Sequence, residues 1–402
     1  MKIGVIREYK NPPDFRVPLT PEACVKLLNE QAGIELFIER SPQRSYANNE
    51  YTELGLNLVD DVSHCDILIG VKEVPVEKLI PNKTYLFFSH THKKQAYNRH
   101  LLAAILDKNI HMVDYECLRY EKGNRIIGFG RYAGIVGVHN GFQTYGRKTE
   151  TFELPAAYDF KDFAEIKEFY KGMELPNFKT LITGEGKVAW GSKETADAMG
   201  IRQVSANDYL TKDFDEPVYA HLMYSDFYQR KTDGGFDKGE FYTNPELYEC
   251  PFEKYWQQTD LFINGIYWDN KNPVYFTQED MRRDDFRIKV ISDVTCDIAP
   301  DSSIPSTLKA TKIGDPVFGY DPINECEVEA YTDGCIDMMT IDNLPNELPR
   351  DASADFSEKM VETIIPELLK EESAIIKSAS LTKNGKLTEV FSYLQDFVEG
   401  RE

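Results

Sequence analysis

Side chains able to exchange protons or grip a carboxylate recur in the first third of the chain, each just past an apolar run. Lys72 follows Ile67-Leu-Ile-Gly-Val71, His90 and His92 follow Leu86-Phe-Phe88, and Glu116 follows Met112-Val113. Arg16 stands just before Pro18-Leu-Thr-Pro21. In an open parallel sheet the carboxyl ends of the strands border the ligand crevice, so Lys72, His90 and Glu116 are expected to converge. A partly desolvated lysine has a lowered pKa and can act as a base, and histidine already titrates near neutrality. Taken singly, each has a plainer reading. Lys72 alone is a solvated charge, His90 a structural hydrogen bonder, His92 an exposed neighbour, and Glu116 the partner of an arginine. Their shared placement is what favours chemistry. His90 and His92 have ligand-like spacing, but no third or fourth ligand stands nearby in the sequence, so no metal is expected. The phosphate-loop pattern G-x-x-x-x-G-K-[ST] and the nucleophile-elbow pattern G-x-S-x-G are both absent, which speaks against a P-loop kinase and a serine hydrolase.

A second chemical feature is Thr183-Gly184-Glu-Gly186-Lys-Val188-Ala-Trp-Gly191. An apolar strand candidate precedes it and a helix candidate follows. Gly184 permits a tight turn, Gly186 lets a pyrophosphate approach the backbone, and the helix N-terminus offers unpaired N–H groups. The third glycine comes two residues later than in G-x-G-x-x-G. A lone G-x-G often marks only a turn, but the strand-turn-helix context favours a dinucleotide site. The acid that binds the adenosine ribose is expected about 20 residues on, at the end of the next strand. Ser205 stands there, Asp208 comes too late and no arginine cluster follows, so NAD and NADP both stay open.

These groups need elements to hold them. Residues 2–6, 33–38, 66–71, 84–88 and 110–115 read as strands, and helices are expected at 21–28 and 98–106. Thr20-Pro21-Glu22 has the N-cap, first-turn proline and early acid of a helix start. Residues 180–183, 201–204, 261–266 and 287–293 form a second series of strands around a helix within 184–200. Residues 131–146 suit a long connecting helix, and 160–169 a shorter one. Residues 206–255 read as an irregular insertion rich in Tyr, Asp and Gly. Two amphipathic helices are expected in the tail: 354–369, with Phe356, Met360, Ile364 and Leu368 on one face, and 387–398. The β-α-β rhythm predicts an α/β protein with doubly wound parallel sheets.

The chain has 402 residues, enough for two or three domains. Its 42% hydrophobic and 28% charged residues suit a folded core. The net charge of −21 argues against nucleic acid, yet permits an anionic small molecule received by local cations. No apolar run approaches the ~20 residues of a membrane span, and residues 1–10 lack the apolar segment of a secretory signal. Seven scattered cysteines without a C-x-x-C fit free thiols in a reducing cytoplasm.

From residue 1 to about 369 the chain resembles the saccharopine dehydrogenase and lysine–ketoglutarate reductase branch of the alanine dehydrogenase and transhydrogenase superfamily. The resemblance rests on Arg16-Val-Pro-Leu-Thr-Pro21, Gly70-Val-Lys72-Glu73, Phe87-Phe-Ser-His90-Thr-His-Lys-Lys-Gln95, Asp114-Tyr-Glu116, Gly128-Phe-Gly-Arg-Tyr-Ala-Gly134 and the glycine turn. Ile263-Asn-Gly-Ile-Tyr-Trp268, Ser292-Asp-Val-Thr-Cys-Asp297 and Asp342-Asn-Leu-Pro345 extend it. It implies two Rossmann-like domains with a cleft between them. The substrate domain would be residues 1–131 plus 345–402, and the dinucleotide domain 132–344. It also implies an NAD- or NADP-dependent oxidoreductase acting on a C–N bond, with amino-acid and keto-acid substrates. Saccharopine formation from lysine and 2-oxoglutarate comes first. The alternatives are alanine dehydrogenase-like reductive amination and a non-catalytic nucleotide-binding protein. By the family pattern Lys72 matches the base and His90 the acid–base for water and carbinolamine. Arg16, Gln95, Glu116 and Phe129 match substrate positions. Arg125, Gly184, Gly186, Val188, Tyr267, Val294, Asp342 and Asn343 match cofactor positions. The physiological amine, the direction of flux and the oligomeric state stay open.

Overall fold

The computed structural model describes residues 1–401, which divide into two compact units: Met1–Phe129 with the tail from Pro349, and Gly130–Leu348. The first unit is built on β1 (Lys2–Val5), β2 (Glu35–Glu39), β3 (Asn57–Val59), β4 (Ile67–Ile69), β5 (Thr84–Phe87) and β6 (His111–Asp114). Two tail strands, Ser380–Lys383 and Lys386–Leu387, extend this sheet beyond β6. Across the sheet the order is Lys386–Leu387, Ser380–Lys383, β6, β5, β4, β1, β2, β3. β1 to β6 pair in parallel and the tail strands antiparallel. β4 and β5 are short apolar runs because they are covered on both faces, as parallel strands usually are. Thr20 caps the helix Pro21–Glu30 through the Ala23 N–H (3.2 Å), so the start expected from Thr-Pro-Glu is the one formed.

The tail departs from two uniform helices. Residues 354–369 fold as a helix Pro349–Lys359, a π turn Met360–Ile364 and a short helix Ile365–Leu368. Phe356, Met360 and Ile364 still enter the core of the first unit. The helix expected at 387–398 does not form as one piece. Leu387 pairs with Thr382 in a hairpin, Thr388 Oγ1 donates to Ser380 O (2.6 Å), and Phe391 is non-helical before the last turn Gln395–Val398. Strand pairing with Ser380–Lys383 outweighs the helical pattern there, and that strand itself gave no clear periodic signal.

The second unit holds β7 (Lys179–Thr183), β8 (Arg202–Val204), β9 (Val218–Leu222), a separate ribbon of β10 (Gln229–Arg230) and β11 (Tyr248–Glu249), then β12 (Leu261–Asn264), β13 (Val290–Asp293), β14 (Val317–Asp321), β15 (Cys326–Val328) and β16 (Ile336–Met339). The main sheet runs β15-β14-β16-β13-β12-β7-β9-β8. It is parallel except at β14, which runs antiparallel to β15 and β16. The stretch expected to be an irregular insertion therefore supplies an interior strand. β9 lies between β7 and β8, and its residues are buried apart from a half-buried His221. Burial on both faces removes alternation, and the polar His221 interrupts the apolar run, so β9 is hard to see in the sequence. The rest of the stretch packs aromatically, with Tyr228 and Phe241 rings 4.5 Å apart and Phe227 and Phe252 5.8 Å apart.

The helix Gly130–Thr149 crosses the helix Lys187–Ala198 at very short range. A Cβ on Gly134 would lie 1.9 Å from Val188 O, and one on Gly191 would lie 2.0 Å from Arg131 O. This accounts for the late third glycine of the turn motif. Gly191 makes room for a neighbouring helix backbone.

Candidate active site

In the first unit, Glu8 follows β1 and reaches across to the end of β4. Its Oε1 accepts from Val71 N–H (2.6 Å) and its Oε2 from Lys72 N–H (2.9 Å). The loop that carries Lys72 is thereby pinned to β1. Burial, then the charges of Arg16 and Lys10, bring the Lys72 ammonium down to about 8. Burial and the Asp14 charge push the Glu8 carboxyl up to about 8. Lys10 pairs with Glu73 at 2.8 Å. Arg16 is buried and forks onto Asp14, with Nε donating to Oδ1 at 2.9 Å. Its guanidinium lies 4.3 Å from the Phe129 ring centroid, and Phe129 stacks on Phe356 at 5.2 Å. The fork expected to take a substrate carboxylate thus already holds Asp14.

His90 opens the loop after β5 in the left-handed region, φ 55°, which non-glycine residues seldom adopt. Its Nδ1 lies 3.0 Å from Glu116 Oε2. Glu116 Oε1 takes Lys93 Nζ at 2.9 Å and Arg125 Nη2 at 2.8 Å, and His92 Nε2 stands 3.7 Å from Oε2. Burial alone would raise the Glu116 pKa. Hydrogen bonds from His90 and Lys93, with the Lys93 and Arg125 charges, hold it well below the usual carboxylate range instead. A carboxylate can only accept, so His90 Nδ1 carries the proton and donates. His90 Nε2 is then the nitrogen left to exchange protons. Arg125, a cofactor position by resemblance, sits here on Glu116. Gln95 is exposed on the following loop, and its Oε1 accepts from Tyr97 OH (2.8 Å).

Asp114 lies beneath this loop and was not singled out by its spacing. Its Oδ2 accepts from Ser89 N–H (3.1 Å) and its Oδ1 from Glu116 N–H (2.8 Å), so one buried carboxylate fixes the backbone on both sides of the His90–Glu116 pair. His92, Asp114 and Cys117 bring ligand-type atoms within 4.8 Å of one another. Burial and the nearby carboxylates hold the Cys117 thiol up at about 12.

In the second unit, β7 delivers the glycine turn. Gly184 has φ 121°, and a Cβ there would meet Gly265 O at 2.5 Å. A Cβ on Gly186 would meet open space, and the helix Lys187–Ala198 begins at once. This combination of a forced turn, an open cradle and a helix N-terminus fits a pyrophosphate. Val188, inside the first turn of that helix, has its carbonyl against Gly134. Thr183, Asn264 and Asp293 end β7, β12 and β13 in register and form a buried polar row. Asn264 Nδ2 donates to Asp293 Oδ1 (2.9 Å), and Thr295 and Thr307 hydroxyls donate to Asp293 at 2.7 and 2.6 Å. The row fixes the loops carrying Val294 and Tyr267. Val294 N–H donates to Asn264 O (3.0 Å), Tyr267 is exposed with its carbonyl on Tyr224 OH (2.8 Å), and Asp342 and Asn343 follow β16. The sequence signal for this row is the Ser292-to-Asp297 motif, which contains the buried Asp293.

Residues 4–136 match the model of the alanine dehydrogenase/PNT N-terminal domain. The N-terminal part of the chain is such a domain. Beyond it, the chain is 29% identical over 98% of its length to the mitochondrial alpha-aminoadipic semialdehyde synthase of Mus musculus, covering 48% of that protein. It is 27% identical over 98% of its length to the Arabidopsis thaliana counterpart, covering 41%. The chain thus spans less than half the length of these relatives. A saccharopine dehydrogenase (NAD(+), L-lysine-forming) of Yarrowia lipolytica is 26% identical over 90% of both chains. Among solved structures, an L-alanine dehydrogenase superposes over the whole of both chains with a TM-score of 0.62 at 16% identity. The transhydrogenase from Sinorhizobium meliloti does so over 96% of this chain and 99% of its own, with a TM-score of 0.54 at 11% identity. The fold is that of alanine dehydrogenase. Among the described residues, no helix is long and apolar enough to cross a membrane.

Proposed function

We propose that the chain is an NAD(P)-dependent oxidoreductase of the opine type, acting on the C–N bond that joins the lysine side-chain nitrogen to 2-oxoglutarate. The observation that carries this reading is the pair of proton carriers built into one alanine dehydrogenase/PNT domain. Lys72 is tuned by burial and by Arg16, and His90 is oriented by a Glu116 held ionised. The similarity to a lysine-forming saccharopine dehydrogenase over nine-tenths of both chains supports this chemistry.

In the forming direction the lysine amine attacks the keto carbon of 2-oxoglutarate. Lys72 takes the proton the amine must lose. His90, entering this step as an imidazolium with its Nδ1–H on Glu116, gives its Nε2 proton to the departing hydroxyl of the carbinolamine. An iminium and water result. The nucleotide, when bound, would supply the hydride that reduces the iminium carbon to the secondary amine. Arg16 and Asp14, with Phe129 over the guanidinium, shape the wall beside Lys72, and Lys93 and Arg125 keep Glu116 charged. The residues of the Gly184–Gly186 turn would hold the pyrophosphate.

The test is nucleotide oxidation followed at the nicotinamide band, with lysine plus 2-oxoglutarate and, in parallel, pyruvate plus ammonium. Turnover with the first pair alone supports the proposal. Turnover with the second alone replaces it with alanine dehydrogenase-type chemistry, and nucleotide binding without turnover on any amine removes the enzyme reading.

A further inference from the structure

We infer that Glu185, inside the glycine turn, is the residue that recognises the 2′ position of the adenosine ribose, and that with Lys238 it makes the second unit selective for NAD(H) over NADP(H). This rests on the dinucleotide reading above and deepens it.

In a doubly wound nucleotide-binding sheet, the ribose is read at the carboxyl end of the strand beside the first strand, on the side away from the fourth. Chain order would make that strand β8, ending at Ser205. The sheet order excludes this. β9 is the strand hydrogen-bonded to β7, and β8 lies one strand further out, at the edge. Ser205 also has a structural task there, since its Oγ caps the following helix through Asp208 N–H (3.0 Å). The relevant end is therefore Leu222-Met223-Tyr224.

No acid ends β9, but one reaches it from the neighbouring turn. Tyr224 N–H donates to Glu185 Oε1 at 3.0 Å, so the carboxylate sits at the C-terminal end of β9. Glu185 Oε2 pairs with Lys238 Nζ, which lies 5.7 Å from the Tyr224 ring centroid. Two nearby charged groups, Asp226 and Arg230, are engaged elsewhere. Asp226 Oδ2 folds back onto Met223 N–H (2.7 Å), and Arg230 is held by Asp233 and Glu240, both at 2.8 Å. His221 Nε2 lies 2.8 Å from Gly184 O and fixes the turn from which Glu185 projects.

An anchored carboxylate can accept the proton of a 2′-hydroxyl and repels a 2′-phosphate. Lys238 is half exposed and its charge is already answered by Glu185, so a phosphate gains little from it while the acid stays. Removing the acid frees the ammonium for a phosphate.

The experiment is equilibrium titration of the full chain with NADH and NADPH, read by nicotinamide fluorescence, with circular dichroism as a control for folding. Wild type should bind NADH at least about tenfold tighter than NADPH, the scale of one charge-assisted hydrogen bond. Glu185→Ser should weaken NADH and tighten NADPH, moving the ratio by about tenfold or more. Glu185→Gln, which keeps an acceptor without the charge, should hold NADH within about threefold and narrow the discrimination. Adding Lys238→Ala to Glu185→Ser should remove the gain for NADPH. A wild-type preference for NADPH, or a ratio unmoved by both Glu185 variants, overturns this assignment and leaves the dehydrogenase reading standing. Binding of neither nucleotide overturns both.

Discussion

Lys72 stands in a place that makes its charge expensive. It is half-buried and flanked by Arg16 and Lys10, and its pKa falls to about 8 from 10.5. A lysine that accepts a proton must first be neutral, and the neutral fraction rises with pH through about 8. In the direction that oxidises the amine, kcat/KM should therefore rise with pH through that region. Lys72→Met should abolish this limb and lower kcat by roughly 10²–10⁴. An unchanged pH–rate profile in the variant would take Lys72 out of the role. Arg16 calls for a different measurement. Asp14 is fully buried and Arg16 is its bidentate partner, so Arg16→Ala leaves that carboxylate away from water without its countercharge. Loss of one partner of a buried pair costs about 3–5 kcal/mol. Urea unfolding should show that loss before any assay of substrate binding is interpreted, and a midpoint equal to wild type would mean that solvent reaches Asp14.

At the scale of elements, the crossing of helices Gly130–Thr149 and Lys187–Ala198 is set by missing side chains. Gly134→Ala places a methyl 1.9 Å from Val188 O, so the two helices must separate. Overpacking of this kind costs about 1–3 kcal/mol, and it should also displace the first turn that carries Val188. Thermal denaturation should report a lower midpoint for Gly134→Ala, whereas Gly172→Ala, which meets only a distant carbonyl at 3.7 Å, should leave it nearly unchanged. Equal midpoints for the two variants would refute the close crossing. The same elements show what a sequence discloses. Strands β1, β4, β5, β6 and β7 were legible because each contains a short apolar run that polar or glycine residues soon interrupt. The helix at Pro21 was legible because its cap chemistry is local. β9 was not, because its place beside β7 depends on pairing with a strand 39 residues away from Thr183 to Leu222 in the chain. The tail strand Ser380–Lys383 was missed for the same reason, since the partner that ties it into the sheet, β6, lies about 270 residues earlier in the chain. In the site, the strand-end groups Lys72, His90 and Glu116 stood out by residue type. Glu8, Asp114 and Glu185 act through backbone N–H groups of distant loops, and no spacing in the chain announces that.

For the whole molecule the charge of −21 sets the long-range field. It opposes the approach of a dicarboxylate or a nucleotide, even where Lys93 and Arg125 offer local cations. Raising salt from about 0.01 M to about 0.15 M shortens the Debye length from about 30 Å to about 8 Å, so kcat/KM for 2-oxoglutarate should rise over that range. A fall would show that the local cations, not the net charge, govern encounter. The tail strand bears on something other than catalysis. Thr382 Oγ1 donates to Ile110 O, a bond that spans 272 residues of chain, and Thr382 pairs with Met112 beside it. The second unit is continuous from Gly130 to Leu348, whereas the first lacks part of its sheet until residues 380–383 exist. On a ribosome, which delivers domains from the N-terminal end as they emerge, the order is inverted here. The unit that starts first can close its sheet only last, and during that wait β6 presents an unpaired edge to other chains and to chaperones.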